Sequence, residues 1–409
     1  MGNGTLPIGR YFATGFAAAA GALALSLTST VSTTIQLVTS TLLVMGGTYN
    51  GTALKPAIQQ ELGGDPWYPA PNLDPFRSVG SFGHGYIDTR NNPGSPYFGW
   101  DFIPVEWPAD VLPRILGRTP YEPSQQQGLR NFVGAINATL PTLRPDEKLV
   151  AFGYSSSANV MVREMRDLQS RTGDAPSAEQ LEFFLLGNPN RPNGGILQRF
   201  AGAYIPIFDI PMDGSTPLQT AYTTTDLSWE YDFFSDFPTY PLNVLAVLNA
   251  LLTGSIVHGN YFPATLDGPR ALPDTTVGAI TYITLKTEHL PLLMPLYDIG
   301  FAAPLLDLVE PALTVMVDWG YDRSISPGTP TTASILPRID PATATRELIT
   351  AIGEGVRNFA ADLTAASPLQ PRPLVGRRAI PAGEANGYRA KSRQLRHSDS
   401  TERPHRISS

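Results

Sequence analysis

Short apolar runs alternate with amphipathic repeats along the middle of the chain. Runs that end at glycine or proline predict strands, and apolar residues three or four positions apart predict helices. Alternation of strands and helices predicts an α/β fold with a mostly parallel sheet and helices on both faces. The predicted strands are Leu42–Met45, Phe102–Glu106, Lys148–Tyr154, Glu182–Leu186, Tyr222–Tyr231 and 279–285. The predicted helices are Ser124–Leu140, Asn159–Ser170, Pro241–Leu252 and Arg346–Leu363, and the segment 188–220 is predicted to be loop.

Two of these helices carry a row of apolar residues along one face. In the third helix the row is Val244, Val247, Leu248 and Leu251. In the last helix it is Leu348, Ile352, Val356 and Phe359.

The two ends of the chain differ from its middle. No charged residue occurs between Tyr11 and Leu54, and Phe12–Leu27 is almost wholly apolar after the single basic residue Arg10. This pattern predicts an export signal or a membrane anchor over residues 1–35, and therefore an exported, envelope-facing protein. A buried core helix is the alternative. Residues 36–366 are predicted to form the folded domain, and 367–409 a basic disordered tail, which would meet an anionic envelope surface or remain solvated.

Composition excludes several kinds of chemistry. The chain has no cysteine, which rules out disulfides, thiolate metal sites and cysteine nucleophiles. Its five histidines are too scattered for a metal cluster, and no phosphate-binding glycine motif follows a predicted strand, so neither a metal nor a cofactor is predicted. A net charge of -7 argues against a nucleic-acid partner.

The segment Gly153-Tyr154-Ser155-Ser156-Ser157-Ala158 lies where a predicted strand passes into a predicted helix. A nucleophile elbow has this place and the pattern Gly-x-Ser-x-Gly, with Ser157 here in place of the last glycine. Ser155 is therefore the candidate nucleophile. The alternative is a serine that only caps the helix.

A serine nucleophile needs a histidine base and an acid that follow it along the chain. His258 and His289 both suit the base, whereas His397 and His405 fall in the predicted tail. For the acid, Asp226, Asp232 and Asp236 are the candidates. Asp232 is favoured because it comes directly after a predicted strand, and Asp236 is kept as the alternative acid.

A collinear series of motifs extends this interpretation to most of the chain: LLVMGGT, GYSSSA, GNPNRPNGGI, YDFFSDFPTYPLN, LNALLTG with VHGNY, LPLL and VDWGYDR. The series resembles the PE-PPE domain family of mycobacterial serine hydrolases, a cutinase-like branch of the α/β-hydrolases. The resemblance covers roughly Gln36–Leu363. The family often carries an N-terminal PE or PPE helical module, which is not expected here because the apolar leader takes its place.

The resemblance implies a catalytic triad of Ser155, Asp232 and His258, with Asp236 still the alternative acid. Backbone N–H groups of Ser156 and of the Gly46–Thr48 loop are expected to form the oxyanion hole, with Gly47 and Thr48 as its candidate residues. Aromatic residues in predicted loops are expected to form a lipid-facing mouth: Trp67, Tyr97, Phe98, Trp100, Phe233 and Phe234.

The expected function is that of a serine esterase or lipase acting on acyl esters through an acyl-enzyme. The alternative is an acyltransferase that moves fatty acyl groups between trehalose-based glycolipids, as the resemblance implies for members that carry only a leader. A non-catalytic envelope protein that keeps the fold is the remaining alternative. The expected partners are a lipid or acyl-ester substrate, a glycolipid acceptor, and a membrane or envelope surface contacted through the leader and the tail.

Overall fold

A computed structural model describes residues 40–48, 94–171, 173–259, 261 and 266–365. The predicted leader and tail, together with Trp67, lie outside the described residues, so export and the domain bounds stay predictions. The described part divides into two compact units, one of residues 40–292 with 316–340 and one of residues 293–315 with 341–365. In the described part of the chain, no helix combines the length and the hydropathy that crossing a membrane requires.

The structure describes nine strands in the first unit. They are β1 (Thr41–Met45), β2 (Asp101–Pro104), β3 (Leu149–Tyr154), β4 (Leu181–Leu186), β5 (Tyr204–Ile205), β6 (Ile210–Pro211), β7 (Thr224–Trp229), β8 (Arg270–Val277) and β9 (Ile280–Leu285). Seven of them form one sheet in the order β2-β1-β3-β4-β7-β9-β8. All neighbours pair in parallel except β8, which lies antiparallel to β9 at the sheet edge. The prediction of an α/β fold with a mostly parallel sheet is confirmed.

The helices follow the strands along the chain. The first unit contains α1 (Tyr121–Thr139), α2 (Ser156–Ser170), α3 (Ile196–Arg199) and α4 (Val244–Ile256), with short 3-10 turns at Arg114–Leu116 and Leu140–Thr142. The second unit contains α5 (Met294–Asp298) and α7 (Pro341–Ala365), and α6 (Ala303–Asp318) begins in it and ends in the first unit.

One face of the sheet packs against α1 and α2. Side chains alternate between the two faces of a strand, and the pairing of Leu43 with Ala151 and of Ala151 with Phe183 puts these three on the same face. Phe132 of α1 and Met165 of α2 pack into the same buried cluster. Leu42, Val44 and Phe152 alternate with that row on the opposite face and are buried too. Burial on both faces explains why the central strands are continuous apolar runs.

The apolar row of α4 lies on the exposed side of the helix. Val244, Leu248 and Leu251 are between 46% and 65% exposed. The buried side instead carries small or polar residues: Ala246, Asn249, Ala250 and Thr253. A Cβ added at Gly320 would lie 2.3 Å from that of Ala246, so only small side chains fit where α4 meets this segment.

On α7 of the second unit, too, the large apolar residues are exposed and small residues are buried. Ile352 and Val356 of the apolar row are exposed, whereas Ala351 and Gly355 are buried. A Cβ at Gly355 would lie 1.9 Å from the carbonyl oxygen of Leu308 in α6. Because the two helix backbones approach closely, only small residues fit at their contact. The buried side of α7 is therefore not marked by large apolar residues in the sequence.

Six strands, β1, β2, β3, β4, β7 and β9, lie close to their predicted positions, whereas several other elements were not predicted. Strand β8 alternates polar and apolar residues only weakly and contains a proline, which suits its place at the sheet edge. The segment 188–220, predicted to be loop, contains the short helix α3 and the small antiparallel pair of β5 and β6.

Parallel pairing aligns the carboxyl ends of six neighbouring strands at one edge of the sheet. Gly46 follows β1, Ser155 follows β3, Gly187 follows β4 and Glu230 follows β7. Ligands of α/β sheets bind outside this edge, because loops from several strands converge there. The site residues predicted from the sequence are therefore expected to lie at this edge.

Candidate active site

Ser155 occupies a sharp turn between β3 and α2. Its backbone has φ 57° and ψ −119°, a conformation that a residue with a side chain adopts only under strain. Gly153 makes the turn possible, since a Cβ there would lie 2.6 Å from Sδ of Met161 and 3.1 Å from the backbone nitrogen of Ala158. The strand and the helix are thus close enough to exclude any side chain, which is the geometry of a nucleophile elbow.

Ser157 stands where the usual elbow pattern has glycine, and its hydroxyl explains the departure. It is fully buried, accepts a hydrogen bond from the Tyr154 N–H at 2.8 Å and donates one to the carbonyl of Met45 at 2.8 Å. One hydroxyl thereby joins the turn to the end of β1. A glycine at this position would fit but would make neither hydrogen bond, so the serine stabilises the elbow.

The structure brings Ser155, His258 and Asp232 together in one hydrogen-bonded chain. Oγ of Ser155 lies 2.8 Å from Nε2 of His258. On the other side of the ring, Nδ1 lies 2.7 Å from Oδ2 and 2.9 Å from Oδ1 of Asp232. Asp232 is completely buried, and Ser155 and His258 are 8% and 5% exposed. The order serine, imidazole, carboxylate is the arrangement in which a histidine can act as base for the serine.

The imidazole of His258 is held by its backbone and by two aromatic rings. The backbone N–H of His258 donates to the carbonyl of Thr253 near the end of α4, at 2.8 Å. The backbone carbonyl of His258 accepts a hydrogen bond from the hydroxyl of Tyr154. The ring of Tyr154 stacks on the imidazole, with the two centroids 5.2 Å apart. The ring of Phe234 contacts the imidazole at 4.4 Å. These contacts leave the imidazole little freedom to turn away from Ser155.

The Asp232 carboxylate stays charged although it is buried. Burial raises its pKa, but the charge of His258 and hydrogen bonds from His258, Tyr261 and the Phe234 N–H outweigh burial and lower the pKa below 3.8. Because this pKa is depressed in the folded state, the ionised carboxylate stabilises the fold above the unfolded-state pKa. That contribution is lost as the pH falls through the folded-state pKa.

The competing acids have other partners. Asp236 accepts a hydrogen bond from the Tyr231 N–H at 2.7 Å and pairs with Nη1 of Arg323 at 2.8 Å. Tyr231 has φ 64°, so Asp236 braces a strained residue directly before Asp232. Asp226 is buried inside β7 and pairs with Arg191 at 3.3 Å.

Of the four candidate histidines, the one whose ring reaches Ser155 is His258. His289 lies in the turn after β9. His397 and His405 fall outside the described residues.

The candidate oxyanion residues border the elbow. A Cβ at Gly47 would lie 3.2 Å from that of Ser155, so the loop after β1 passes directly beside the serine. The indole of Trp107 fixes this loop by donating to the carbonyl of Gly46 at 3.1 Å. The Thr48 hydroxyl donates to that of Ser156 at 3.0 Å. Ser156 begins α2, where backbone N–H groups of the first turn lack intrahelical acceptors and remain able to bind an anion.

The aromatic residues expected at a lipid-facing mouth have different places. Phe98 is 47% exposed, and Tyr97 and Trp100 are half-buried and pack edge to face. Phe233 and Phe234 are half-buried and in contact with each other, and Phe234 also packs on the imidazole. The mouth itself stays a prediction.

Sequence reasoning missed three residues that contact the predicted site residues. Tyr154 and Tyr261 bind His258 and Asp232, respectively. Gly187, after β4, has φ 59°, and a Cβ there would lie 2.8 Å from Cε1 of His258. Their positions in GYSSSA, VHGNY and the Gly-Asn-Pro segment were visible, but spacing along the chain does not reveal contacts between loops of different strands.

Gly187→Ala is expected to displace the His258 ring. The added methyl would overlap Cε1, and a shift of about 1 Å at a catalytic group costs on the order of 100-fold in rate. The measurement is the rate at which a fluorophosphonate labels Ser155. Gly117→Ala is the matched control, since Gly117 also has a positive φ, 69°, but nothing within 4 Å of the added Cβ. Both variants should lose about 1–2 kcal/mol of stability from the backbone conformation, and equal labelling of the two would contradict the expectation.

Asp232→Asn and Asp236→Asn are expected to fail in different ways. Asparagine at 232 cannot orient the imidazole as the carboxylate does, so reactivity of Ser155 should fall by roughly 10⁴-fold. Asparagine at 236 weakens the pair with Arg323 and should lower the free energy of unfolding by about 1–3 kcal/mol while Ser155 stays reactive. The measurements are the fluorophosphonate labelling rate and the thermal unfolding of both variants. If Asp236→Asn instead lost Ser155 reactivity and Asp232→Asn kept it, Asp236 would be the acid.

Comparison with known proteins places this geometry in a family. The model of the PE-PPE domain matches residues 100–322. Esterase PE16 of Mycobacterium tuberculosis (strain ATCC 25618 / H37Rv) is 40% identical over 267 residues, which are 63% of this chain and 49% of that protein. The PPE family protein PPE42 of M. tuberculosis (strain CDC 1551 / Oshkosh) is 38% identical over 65% of this chain and 46% of its own length.

A more distant relative aligns over more of its own length. Diacyltrehalose acyltransferase Chp2 of M. tuberculosis (strain ATCC 25618 / H37Rv) is 28% identical over 72% of this chain and 80% of that protein. The match to PE16 and PPE42 spans about half of the length of those two proteins. Since the domain model covers more than half of the chain, the chain belongs to the PE-PPE domain family.

Proposed function

We propose that this protein is a serine esterase that acts on acyl esters through an acyl-enzyme at Ser155. The observation that carries the proposal is the hydrogen-bonded chain from Ser155 through His258 to the buried Asp232, set on a strained elbow. The name of the relative Esterase PE16 supports the same class of reaction.

In the first half of the proposed reaction, Nε2 of His258 takes the proton of Ser155 while Oγ bonds to the ester carbonyl carbon. The carbonyl electron pair moves to the oxygen and forms a tetrahedral oxyanion. When that pair returns, the bond to the alkoxy oxygen breaks and His258 gives its proton to the departing alcohol. Ser155 is left as an acyl ester and His258 is neutral again.

Asp232 supports both proton transfers without changing its own charge. Its position against Nδ1 requires the tautomer with a proton on Nδ1, which leaves Nε2 free to accept the proton of Ser155. Its negative charge, in a site that excludes water, stabilises the imidazolium that forms in each transition state.

The oxyanion would be stabilised at the first turn of α2. Its donors are the N–H of Ser156 and N–H groups of the Gly47–Thr48 loop, which passes beside Ser155. The helix dipole favours negative charge at this end. Loss of one such donor costs roughly 10²–10³-fold in kcat in a well-studied serine protease, so the loop after β1 is central to the proposal.

Ser155→Ala is expected to abolish ester hydrolysis and labelling by a fluorophosphonate. Removing the nucleophile should lower kcat by on the order of 10⁴-fold or more and leave the fold intact. Hydrolysis of nitrophenyl acyl esters measures the effect. Ser170→Ala, exposed at the end of the same helix, is the control and should behave as wild type. Full esterase activity in Ser155→Ala would refute the assignment.

Acyl transfer to a sugar hydroxyl is the second candidate, favoured by the alignment with Diacyltrehalose acyltransferase Chp2 over most of that protein. The two reactions share the acyl-enzyme and differ in the group that attacks it. In hydrolysis, water gives a proton to His258 while its oxygen bonds to the acyl carbon; the bond to Oγ of Ser155 then breaks, Oγ takes the proton from His258, and the fatty acid leaves. In transfer, a hydroxyl of the acceptor takes the place of water, and the acylated acceptor leaves instead of a fatty acid. A bound acceptor can outcompete water because binding raises its effective concentration.

A product analysis separates the two candidates. The protein is given a nitrophenyl acyl ester with and without an acylated trehalose, and the products are identified by mass. For a transferase, a new acylated trehalose should appear and free fatty acid should decrease as the acceptor concentration rises. Free fatty acid alone at saturating acceptor would reject transfer to that acceptor. If the folded wild type turned over no ester at all, the non-catalytic alternative would replace both candidates.

A further inference from the structure

Tyr261 lies three residues beyond His258, and its hydroxyl contacts the acid of the proposed triad. Its Oη donates to Oδ2 of Asp232 at 2.7 Å and accepts a hydrogen bond from the N–H of Trp229 at 3.3 Å. Trp229 is the last residue of β7. The side chain of Tyr261 is 2% exposed. The hydroxyl therefore links the carboxylate to the end of a central strand.

The two oxygens of Asp232 are held in different ways. Oδ1 accepts hydrogen bonds from the N–H groups of Phe234 and Ser235, at 2.8 and 3.3 Å. Oδ2 is the oxygen closer to Nδ1 of His258, and it accepts from Tyr261. The backbone of the loop thus anchors one oxygen, and Tyr261 anchors the oxygen that faces the imidazole.

The hydroxyl is suited to remain a donor. Burial, together with the charge of Asp232, raises the pKa of Tyr261 well above its ordinary value, so the hydroxyl keeps its proton at neutral pH. An uncharged donor next to a buried carboxylate contributes a hydrogen bond without a competing charge. It does not divert the carboxylate from His258 as an arginine or lysine would.

We propose that Tyr261 is a positioning residue, which holds Oδ2 of Asp232 in the direction of Nδ1 of His258 while the imidazolium forms. The proposal rests on the proposed function, because orientation of the acid matters only if His258 moves protons. It adds to the triad a residue that touches neither the substrate nor the nucleophile.

Packing alone is the competing explanation for Tyr261. Its ring lies 6.0 Å from the rings of Tyr154 and Trp229 and 6.2 Å from that of His258. Phenylalanine at this position would keep these three contacts and remove only the hydroxyl. Tyr261→Phe therefore separates the two explanations.

Tyr261→Phe is expected to lower kcat for a nitrophenyl ester by about 10–100-fold and to leave KM unchanged, since the lost contact orients a group that acts in the transition state. The matched control is Tyr282→Phe in β9. Tyr282 is 1% exposed, and within the described residues its hydroxyl has no hydrogen-bond partner. The control removes an equally buried hydroxyl and should leave kcat as in wild type.

A second measurement does not depend on turnover. The proton between Nδ1 of His258 and Asp232 can be followed by NMR in protein with 15N-labelled histidine, with His258→Gln to assign it. Without the donor from Tyr261 the carboxylate accepts more strongly, so the resonance should move downfield in Tyr261→Phe. Incorporation of 3-fluorotyrosine at 261 keeps the fold and makes the hydroxyl a stronger donor, so the resonance should move upfield.

Opposite shifts in the two proteins, with the fall in kcat, would support the proposal. An unchanged resonance in both, or a kcat in Tyr261→Phe equal to that of Tyr282→Phe, would overturn it. If Tyr261→Phe does not fold, the fluorotyrosine protein decides by its shift alone. Absence of ester turnover in wild type would defeat the proposed function, whereas absence of the NMR shifts would defeat the role of Tyr261, so the two failures are distinguishable.

Discussion

The negative charge of Asp232 is completely removed from water, and the contacts around the site follow from that. A buried carboxylate without partners would be very costly or would take up a proton. Asp232 avoids both outcomes because it accepts hydrogen bonds from the loop backbone at Phe234 and Ser235, from Tyr261 and from His258. The loop after β7, the end of α4 and Tyr261 must therefore be in place together. The hydrogen bond between Asp232 and Nδ1 of His258 both stabilises the buried carboxylate and orients the imidazole.

Two of the four non-glycine residues with positive φ in the described part of the chain lie beside this charge. Ser155 and Tyr231 both carry side chains at positive φ, which costs about 1–3 kcal/mol each. The parallel sheet and the adjoining loops hold both residues in place. The N–H of Ser155 donates to the carbonyl of Leu186 at the end of β4, and the N–H of Tyr231 donates to Asp236. A rigid sheet edge thus holds Ser155, the proposed nucleophile, in a conformation that the isolated segment would not adopt.

Polar and apolar surfaces have separate roles around the proposed site. The acid and the base are held by charge and by hydrogen bonds inside the sheet edge, where water is excluded. The helix that leads to His258 exposes the row of Val244, Leu248 and Leu251, and its small residues face inward. Since the proposed hydrolysis and the proposed transfer would use the same Ser155, His258 and Asp232, the choice between them would lie with the groups that bind the second substrate.

Much of this protein can be predicted from local sequence patterns. The strands are buried apolar runs, so β1, β3, β4, β7 and β9 were predicted nearly at their bounds. Ser155 was predicted because the elbow is a local structure, in which glycine, serine and the strand-to-helix change lie within six residues. Which helix side is buried was not visible at α4 and α7, since close backbone contacts at Gly320 and Gly355 select small residues on that side.

The identity of the partners depends on tertiary structure. Asp232 and Asp236 are four residues apart in similar surroundings, and only the folded loop turns one toward His258 and the other toward Arg323. Tyr154, Gly187 and Tyr261 come from three different segments and meet only because parallel strands end at one edge. Sequence patterns record which residues share an element, whereas contacts between loops arise from the sheet that brings their ends together. The sequence therefore determined the sheet and the candidate nucleophile, and the tertiary structure decided which aspartate, which histidine and which tyrosine stand beside it.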